Sequence, residues 1–269
     1  MTNSISEIKD CKLIFLIGGN PTEAHPIVGL EMKKALKKGC TFIVADPRKI
    51  WFAQQAKLYM PVRPGTDNWL LNAMAHVIIA EGLENKEFIK TRTEGYEELK
   101  AFVKDITPEL ASEFTGIPAE DIRQAARLYA KSEKSAIYYT LGITEHTCGT
   151  DNVRTIANLA LLTGHIGKSS TGVNPIRGQN NVQGATDMCL PNKMTGYQDV
   201  ADNAVMEKFE KAWGVTLSRT PGATAPTMFE RMSKNQFKAL YIIGEDPVLS
   251  EPNQDSTIKG IKNLELLVV

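Results

Sequence analysis

The chain has little of what marks a metal or disulfide scaffold. Its four cysteines, Cys11, Cys40, Cys148 and Cys189, stand far apart with no CxxC pair. This spacing argues against a zinc ribbon or a disulfide framework and fits small thiols in a reducing compartment. The four histidines, His25, His76, His146 and His165, show no ligand spacing either. No apolar run approaches the roughly 20 residues of a membrane span, and residues 1–10 lack the apolar core of a signal peptide, so the expected location is cytoplasmic. Charge of one sign is also missing. Thirty-one acidic and thirty-one basic side chains cancel, which leaves no bulk field for nucleic acid or an anionic membrane. With 269 residues, 42% of them hydrophobic, the chain can bury one large core or two ordinary ones.

What is present begins with Leu13-Ile14-Phe15-Leu16-Ile17, an apolar run that stops at Gly18-Gly19-Asn20-Pro21. A continuous run without alternation predicts a strand covered on both faces, as in a parallel sheet. Pro26 suits a first helical turn. Val28, Met32, Ala35 and Leu36 then share one face, four lysines take the other, and Gly39 closes the helix. Thr41-Phe42-Ile43-Val44-Ala45 comes next as a second strand, with Asp46-Pro47-Arg48 at its tip. Backbone N–H groups in a tight glycine turn can approach a phosphate, and an acid at the second strand's end can accept from ribose or a base. The turn is not GxGxxG, which leaves a plain NAD site poorly supported.

Further along, Tyr59 to Val62 reads as a short strand before a turn, Pro64-Gly65-Thr66-Asp67, that caps a helix carrying Leu70, Met74, Val77 and Ile78 on one face. Residues 86–132 read as helical scaffold. A strand at 135–141 ends where Gly142 opens a loop through His146. The next helix places Val153, Ile156, Ala157, Ala160 and Leu161 on one apolar face and stops at Gly164. Then comes Asn174-Pro175-Ile176-Arg177-Gly178-Gln179-Asn180-Asn181-Val182-Gln183-Gly184, with one cation, five side-chain amides and no apolar period. Amides and a guanidinium fork suit a polar ligand; the same residues also suit an ordered surface loop that bonds its own backbone. After a turn-rich stretch, a helix at 205–213 and a loop at 221–226, Leu240 to Pro247 repeats the grammar of Leu13 to Pro21. Residues 264–269 then mirror the second strand. Two such units imply two dinucleotide-like ligands, unless the repeat is chance punctuation.

The combination GGNPTEAHP, VADPRK, PGTDNWLLNAMAHVI, TGHIGK, GVNPIRGQNNVQGATDM and GEDP closely resembles the catalytic subunit of molybdenum- or tungsten-dependent formate dehydrogenases, within the dimethyl sulfoxide reductase family. The likeness runs over nearly the whole chain. It implies an α/β fold: a Rossmann-like, doubly wound, mostly parallel sheet flanked by helices (1–179), then part of a second α/β domain (180–269). It implies two molybdopterin guanine dinucleotides, the bis-MGD cofactor, holding Mo or W. By this resemblance Gly19, Asn20, Glu23, Asp46 and Arg48 bind one dinucleotide, with Gly65 and Asp67 close by, while Gly142 and the loop to His146 approach the pterin. Gly244, Glu245 and Asp246 face the second dinucleotide. Arg177 and Gln179 are the catalytic candidates toward formate, and Gly178 lets the backbone come close. The family's N-terminal cysteine motif for a 4Fe–4S cluster and its metal-ligating Cys or selenocysteine have no match here, and no metal ligand is assigned. The chain therefore reads as a central portion, inactive alone and with the cofactor not necessarily retained. Its parent would pass electrons to a partner subunit or a ferredoxin-type acceptor. Two relatives stay open as alternatives: an enzyme such as a nitrate reductase, and a noncatalytic molybdopterin-fold subunit of a respiratory complex. The second is disfavoured if Arg177 is a buried, unpaired cation.

Overall fold

The structure, a computed structural model, describes residues 1–269 apart from Asn180 and Cys189, so the Asn180 amide and the Cys189 thiol fall outside the described residues. The chain divides into two compact units, Met1–Gly178 and Gln179–Val269.

In the first unit, strands β1 (Leu13–Ile17), β2 (Thr41–Ala45), β3 (Leu58–Met60), β4 (Ser135–Tyr139) and β5 (Gly172–Pro175) form one sheet in the order β3-β2-β1-β4-β5. Every pairing is parallel. The continuous apolar character of β1 has a direct cause, since all five residues are buried and alternate between two cores. Leu13, Phe15 and Ile17 pack with Leu70, Met74 and Ile78 of the helix Asp67–Ala80 and with Ile122 and Tyr129 of the helix Ala119–Lys131. Ile14 and Leu16 face the other way, onto Val28, Met32 and Ala35 of the helix Pro26–Lys37. Each such side chain contributes about 1.5–3 kcal/mol of burial, so a central strand with two covered faces anchors the fold. From β1 the chain runs outward through β2 to β3 and then crosses back to β4 on the far side of β1, which puts the topological switch point between β1 and β4.

Four local expectations change. The third strand stops at Met60, because Pro61 brings no N–H and Val62 turns its own N–H back to the Met60 carbonyl at 2.9 Å. Gly142 does not open a loop; it lies inside the short helix Leu141–Thr144. The polar stretch begins within a strand, where Asn174 is wholly buried and its amide donates to the Thr171 carbonyl at 3.3 Å. The supposed loop at 221–226 runs into the helix Ala225–Ser233, entered through Thr224 with Pro226 in its first turn.

In the second unit, Asp202 caps the helix Asn203–Trp213 by accepting from the N–H groups of Ala204 and Val205. The helices Ala225–Ser233 and Gln254–Lys262 pack closely, and a Cβ on Gly260 would come within 2.9 Å of Met232. There is a small antiparallel pair, β6 (Lys193–Met194) with β7 (Gln198–Asp199), and a parallel pair, β8 (Ala239–Tyr241) with β9 (Leu266–Val268).

Cys11 and Cys40 are only 4% and 5% exposed, and burial pushes their thiols up to about 11 and about 12. Thiolate is the reactive form, so both are expected to resist a thiol reagent in the native protein and to react once guanidinium unfolds it. Mass mapping of labelled cysteines checks this. Native labelling at either position would contradict the packing beneath β1 and β2.

Candidate functional site

The tips of β1, β2 and β4 enclose a cleft of about 380 Å³. Its lining includes Gly18, Gly19, Asn20, Glu23, Asp46, Arg48, Asp67, Thr140, Gly142 and His146, which come from four separate stretches of chain. A parallel sheet brings them together because all its strands end on the same side, and the switch point leaves a gap between the helices that diverge there.

The walls of the gap are main chain. A Cβ on Gly142 would lie 2.6 Å from the Gly18 carbonyl oxygen, and one on Gly18, whose φ is +57°, would lie 2.8 Å from the Gly142 carbonyl carbon. The Thr140 hydroxyl donates to the Gly18 carbonyl at 2.7 Å and ties the two tips together. Sequence reading missed Thr140, since its role depends on a partner 122 residues away.

Two acids lie inside. Asp46 accepts from the Arg48 N–H at 2.8 Å, yet burial raises its carboxyl above the usual range. Burial raises Asp67 as well, and the nearby Asp46 charge adds to the effect. Two influences oppose this, first the bond from Asp67's own backbone N–H and then His146, whose Nε2 lies 3.9 Å from Asp67 Oδ2 and donates to the Gly142 carbonyl at 2.9 Å. A pair of buried carboxyls facing one cleft favours a ligand that presents N–H or O–H donors. Arg48 is exposed beside Asp46 and offers the cation an anionic group would need.

Other expected residues lie elsewhere. Gly65 sits exposed in the turn before Asp67 and does not line the cleft. Arg177 and Gly178 come after β5, and the Ile176 N–H bonds the Tyr139 carbonyl at the tip of β4 at 2.9 Å. Both are therefore at the carboxyl edge of the sheet but outside the cleft lining. Arg177 is exposed, which removes the case from a buried unpaired cation against a noncatalytic subunit. Gln179 is exposed and opens the second unit.

Gly244, Glu245 and Asp246 stand at the tip of β8, all exposed. Here the repeat seen in sequence extends to backbone angles. Gly244 has φ +64° against +57° for Gly18. Asp246 has φ −116° and ψ 90° against −118° and 81° for Asn20, and each precedes a proline that starts a four-residue helix. The Asp246 side chain accepts from the Val248 N–H, and Glu245 accepts from the Ser250 hydroxyl.

A second cleft in the first unit, about 520 Å³ and lined by Trp69, Phe102, Asn72 and Arg154 among others, lies among helices. It has neither a glycine turn nor a pair of buried acids. Among the described residues, no group of three His, Cys, Asp or Glu converges as a cation site, and no helix is long and apolar enough to cross a membrane.

The family described as "Molybdopterin oxidoreductase" matches residues 1–269. The chain is 46% identical over 270 residues to the F420-dependent formate dehydrogenase subunit alpha of Methanocaldococcus jannaschii, covering all of this chain and 40% of that protein. It is 44% identical over 271 residues to formate dehydrogenase H of Escherichia coli, covering all of this chain and 38% of that protein. The chain thus spans about two fifths of the length of these relatives. Among solved structures, acetylene hydratase from Pelobacter acetylenicus shares the fold, with a TM-score of 0.74 at 23% identity over 98% of this chain and 41% of that one.

Proposed function

The chain belongs to the molybdopterin oxidoreductase family, and from that premise we propose that it forms the dinucleotide-holding part of a formate dehydrogenase, which converts formate to carbon dioxide, a proton and two electrons. The cleft between the tips of β1, β2 and β4 carries this reading. Asp46 and Asp67, raised by burial, need donors, and the guanine ring offers adjacent N–H groups on one edge. Arg48 supplies charge for a phosphate, and the Gly18–Gly142 approach leaves the ligand facing main chain instead of side chains. The matched backbone at Asn20 and Asp246 supports a second cradle of the same kind, with Glu245 and Asp246 as its acids.

When bound, this cofactor supplies a molybdenum or tungsten centre that accepts the electrons from formate. The chain's own contribution is electrostatic. The Arg177 guanidinium takes the formate carboxylate in two-point contact and fixes its orientation. An added Cβ on Gly178 would meet nothing within 4 Å, so a ligand can approach the main chain there. Gln179 adds an amide donor. In the full-length protein a 4Fe–4S cluster would supply the route for those electrons toward an electron-transfer subunit or a ferredoxin-type acceptor.

The test uses the full-length gene product, grown with molybdenum or tungsten. Formate-dependent reduction of a viologen dye is expected, with two guanine nucleotides per chain released on acid hydrolysis and one fewer in Asp46→Ala. A preparation that reduces nitrate and ignores formate would overturn the substrate. One guanine or none would remove the two-cradle reading.

A further inference from the structure

The second cleft of the first unit holds polar groups that neither the fold nor the dinucleotide site uses. Asn72 lines it from the helix Asp67–Ala80, in a stretch where every residue from Leu70 to Ile78 except His76 is buried. Asn72 is itself only 8% exposed, and among the described residues its amide has no hydrogen-bond partner. Asparagine is a poor helix former, and a buried amide without a partner opposes folding. A leucine would suit the helix better on both counts. One turn earlier on the same face, Asn68 brings its amide oxygen to the Thr155 hydroxyl at 3.1 Å, while its NH2 group stays unused. Aromatic surface lies beside these amides. Trp69 stacks one face on Phe114, with centroids 4.1 Å apart and planes 13° from parallel, and Phe102 is 65% exposed; Trp69 and Phe102 both line the cleft. Arg154 and Asp151 complete the lining from the helix Gly149–Thr163. They sit 3.3 Å apart with both side chains largely in water, so the pair opens easily toward a ligand.

We propose that this cleft binds an adenine nucleotide, independently of the dinucleotide cradle. The Asn72 amide sets an acceptor and a donor side by side, the pattern that the N6 amino group and N7 of adenine complete in two-point contact. Guanine presents two acceptors on that edge and would leave the Asn72 oxygen unpaired. Trp69 and Phe102 supply rings on which a base stacks. Asp151 accepts from ribose hydroxyls, and the Arg154 guanidinium takes the phosphate once its exposed partner lets go. A volume of about 520 Å³ is of the size that holds a small ligand of this kind.

The experiment is equilibrium dialysis of labelled AMP, adenosine and GMP against the full-length, cofactor-loaded protein. Saturable binding of one AMP per chain is expected, with GMP weaker. Asn72→Leu should weaken AMP binding roughly tenfold or more, the worth of a buried hydrogen bond, with the guanine content of the protein unchanged. Arg154→Ala should bring AMP down to the affinity of adenosine and leave adenosine where it was. Absence of saturable AMP binding would overturn the proposal, as would an Asn72→Leu protein that binds AMP like the parent. GMP as tight as AMP would remove the adenine assignment, and AMP still favoured over adenosine in Arg154→Ala would remove the phosphate contact. Binding that survives Asn72→Leu but is lost in Asp46→Ala would belong to the first cleft and sink the second site. Should Asn72→Leu fail to fold, hydrogen exchange of the unmodified protein decides: AMP should slow the amides of residues 67–80 and 149–163, and unchanged exchange there would refute the site.

Discussion

Alanine at Gly149 is expected to destabilise the first unit by about 3 kcal/mol or more, at the upper end of the usual cost of overpacking. An added Cβ there would lie 2.0 Å from the Thr144 carbonyl oxygen and 2.8 Å from its carbon. No rotamer can relieve a clash between a Cβ and main chain. Either the helix Gly149–Thr163 or the short helix Leu141–Thr144 has to move. The short helix contains Gly142, which already lies against Gly18, so a displacement passes directly to the β1–β4 gap. Guanine nucleotide content should therefore fall together with stability. Gly65→Ala is the control: its φ is +83° and nothing lies within 4 Å of the added atom, which leaves only the left-handed backbone cost of about 1–2 kcal/mol. Urea denaturation at constant m-value measures both. A Gly149→Ala protein within ~0.5 kcal/mol of the parent, the range of an ordinary surface change, would show that the two helices do not meet as described.

Gly149 also shows where sequence reading stops. The helix it begins was legible from Val153, Ile156, Ala160 and Leu161, because a one-sided apolar period is a local property. The abutment on Thr144 is not local, and a glycine alone cannot say what lies beside it. The same division holds elsewhere. β1 and β2 could be read because a strand covered on both faces must be apolar throughout. β5 could not, since Gly172-Val173-Asn174-Pro175 is a short sheet-edge strand with a left-handed glycine, a buried amide and a proline. The residues Gly19, Asp46, Asp67, Gly142 and His146 were legible from their places just past the end of a strand or at the helix start beyond it, and the sheet gathers them into one cleft. Arg177 carries the strongest local chemical signal in the chain, yet its exposure depends on how β5 meets β4, which no local pattern states. Thr140 went unnoticed for a related reason: it acts through a partner 122 residues away.

Acidification from pH 6.5 to about 4 is expected to cost the first unit about 3 kcal/mol through His165. This ring is 3% exposed, and burial lowers its pKa to about 4 from 6.5. Its Nε2–H donates to the Tyr129 carbonyl at 3.1 Å, while Nδ1 is buried with no partner, so the fold accommodates one neutral tautomer. Below pH 6.5 the unfolded chain takes up a proton that the folded chain refuses, and stability falls until the folded pKa is reached. At ~1.4 kcal/mol per pH unit, the gap between 6.5 and about 4 gives the stated loss, and the contribution is flat below it. The buried carboxyls Asp46 and Asp67 act in the opposite sense, because their raised folded pKa values mean that protonation on acidification relieves a cost of burial. Their window lies above 3.8 and overlaps the lower part of that of His165. His165→Gln retains a donor for the Tyr129 carbonyl without titrating. Its downward slope below pH 6.5 should therefore be clearly shallower than the parent's when urea midpoints are compared between pH 7 and 4, the remainder coming from His25, whose pKa burial also lowers, and from the carboxyls, Glu7 among them. Equal slopes in the two proteins would mean that His165 is solvated in the native state. The location of this proton bears on β5, because the Gly172 N–H bonds the His165 carbonyl at 2.8 Å, where that strand begins. A charged ring at this point loosens the strand that leads to Arg177, so under the role proposed for that arginine acid should weaken formate binding before the sheet as a whole unfolds.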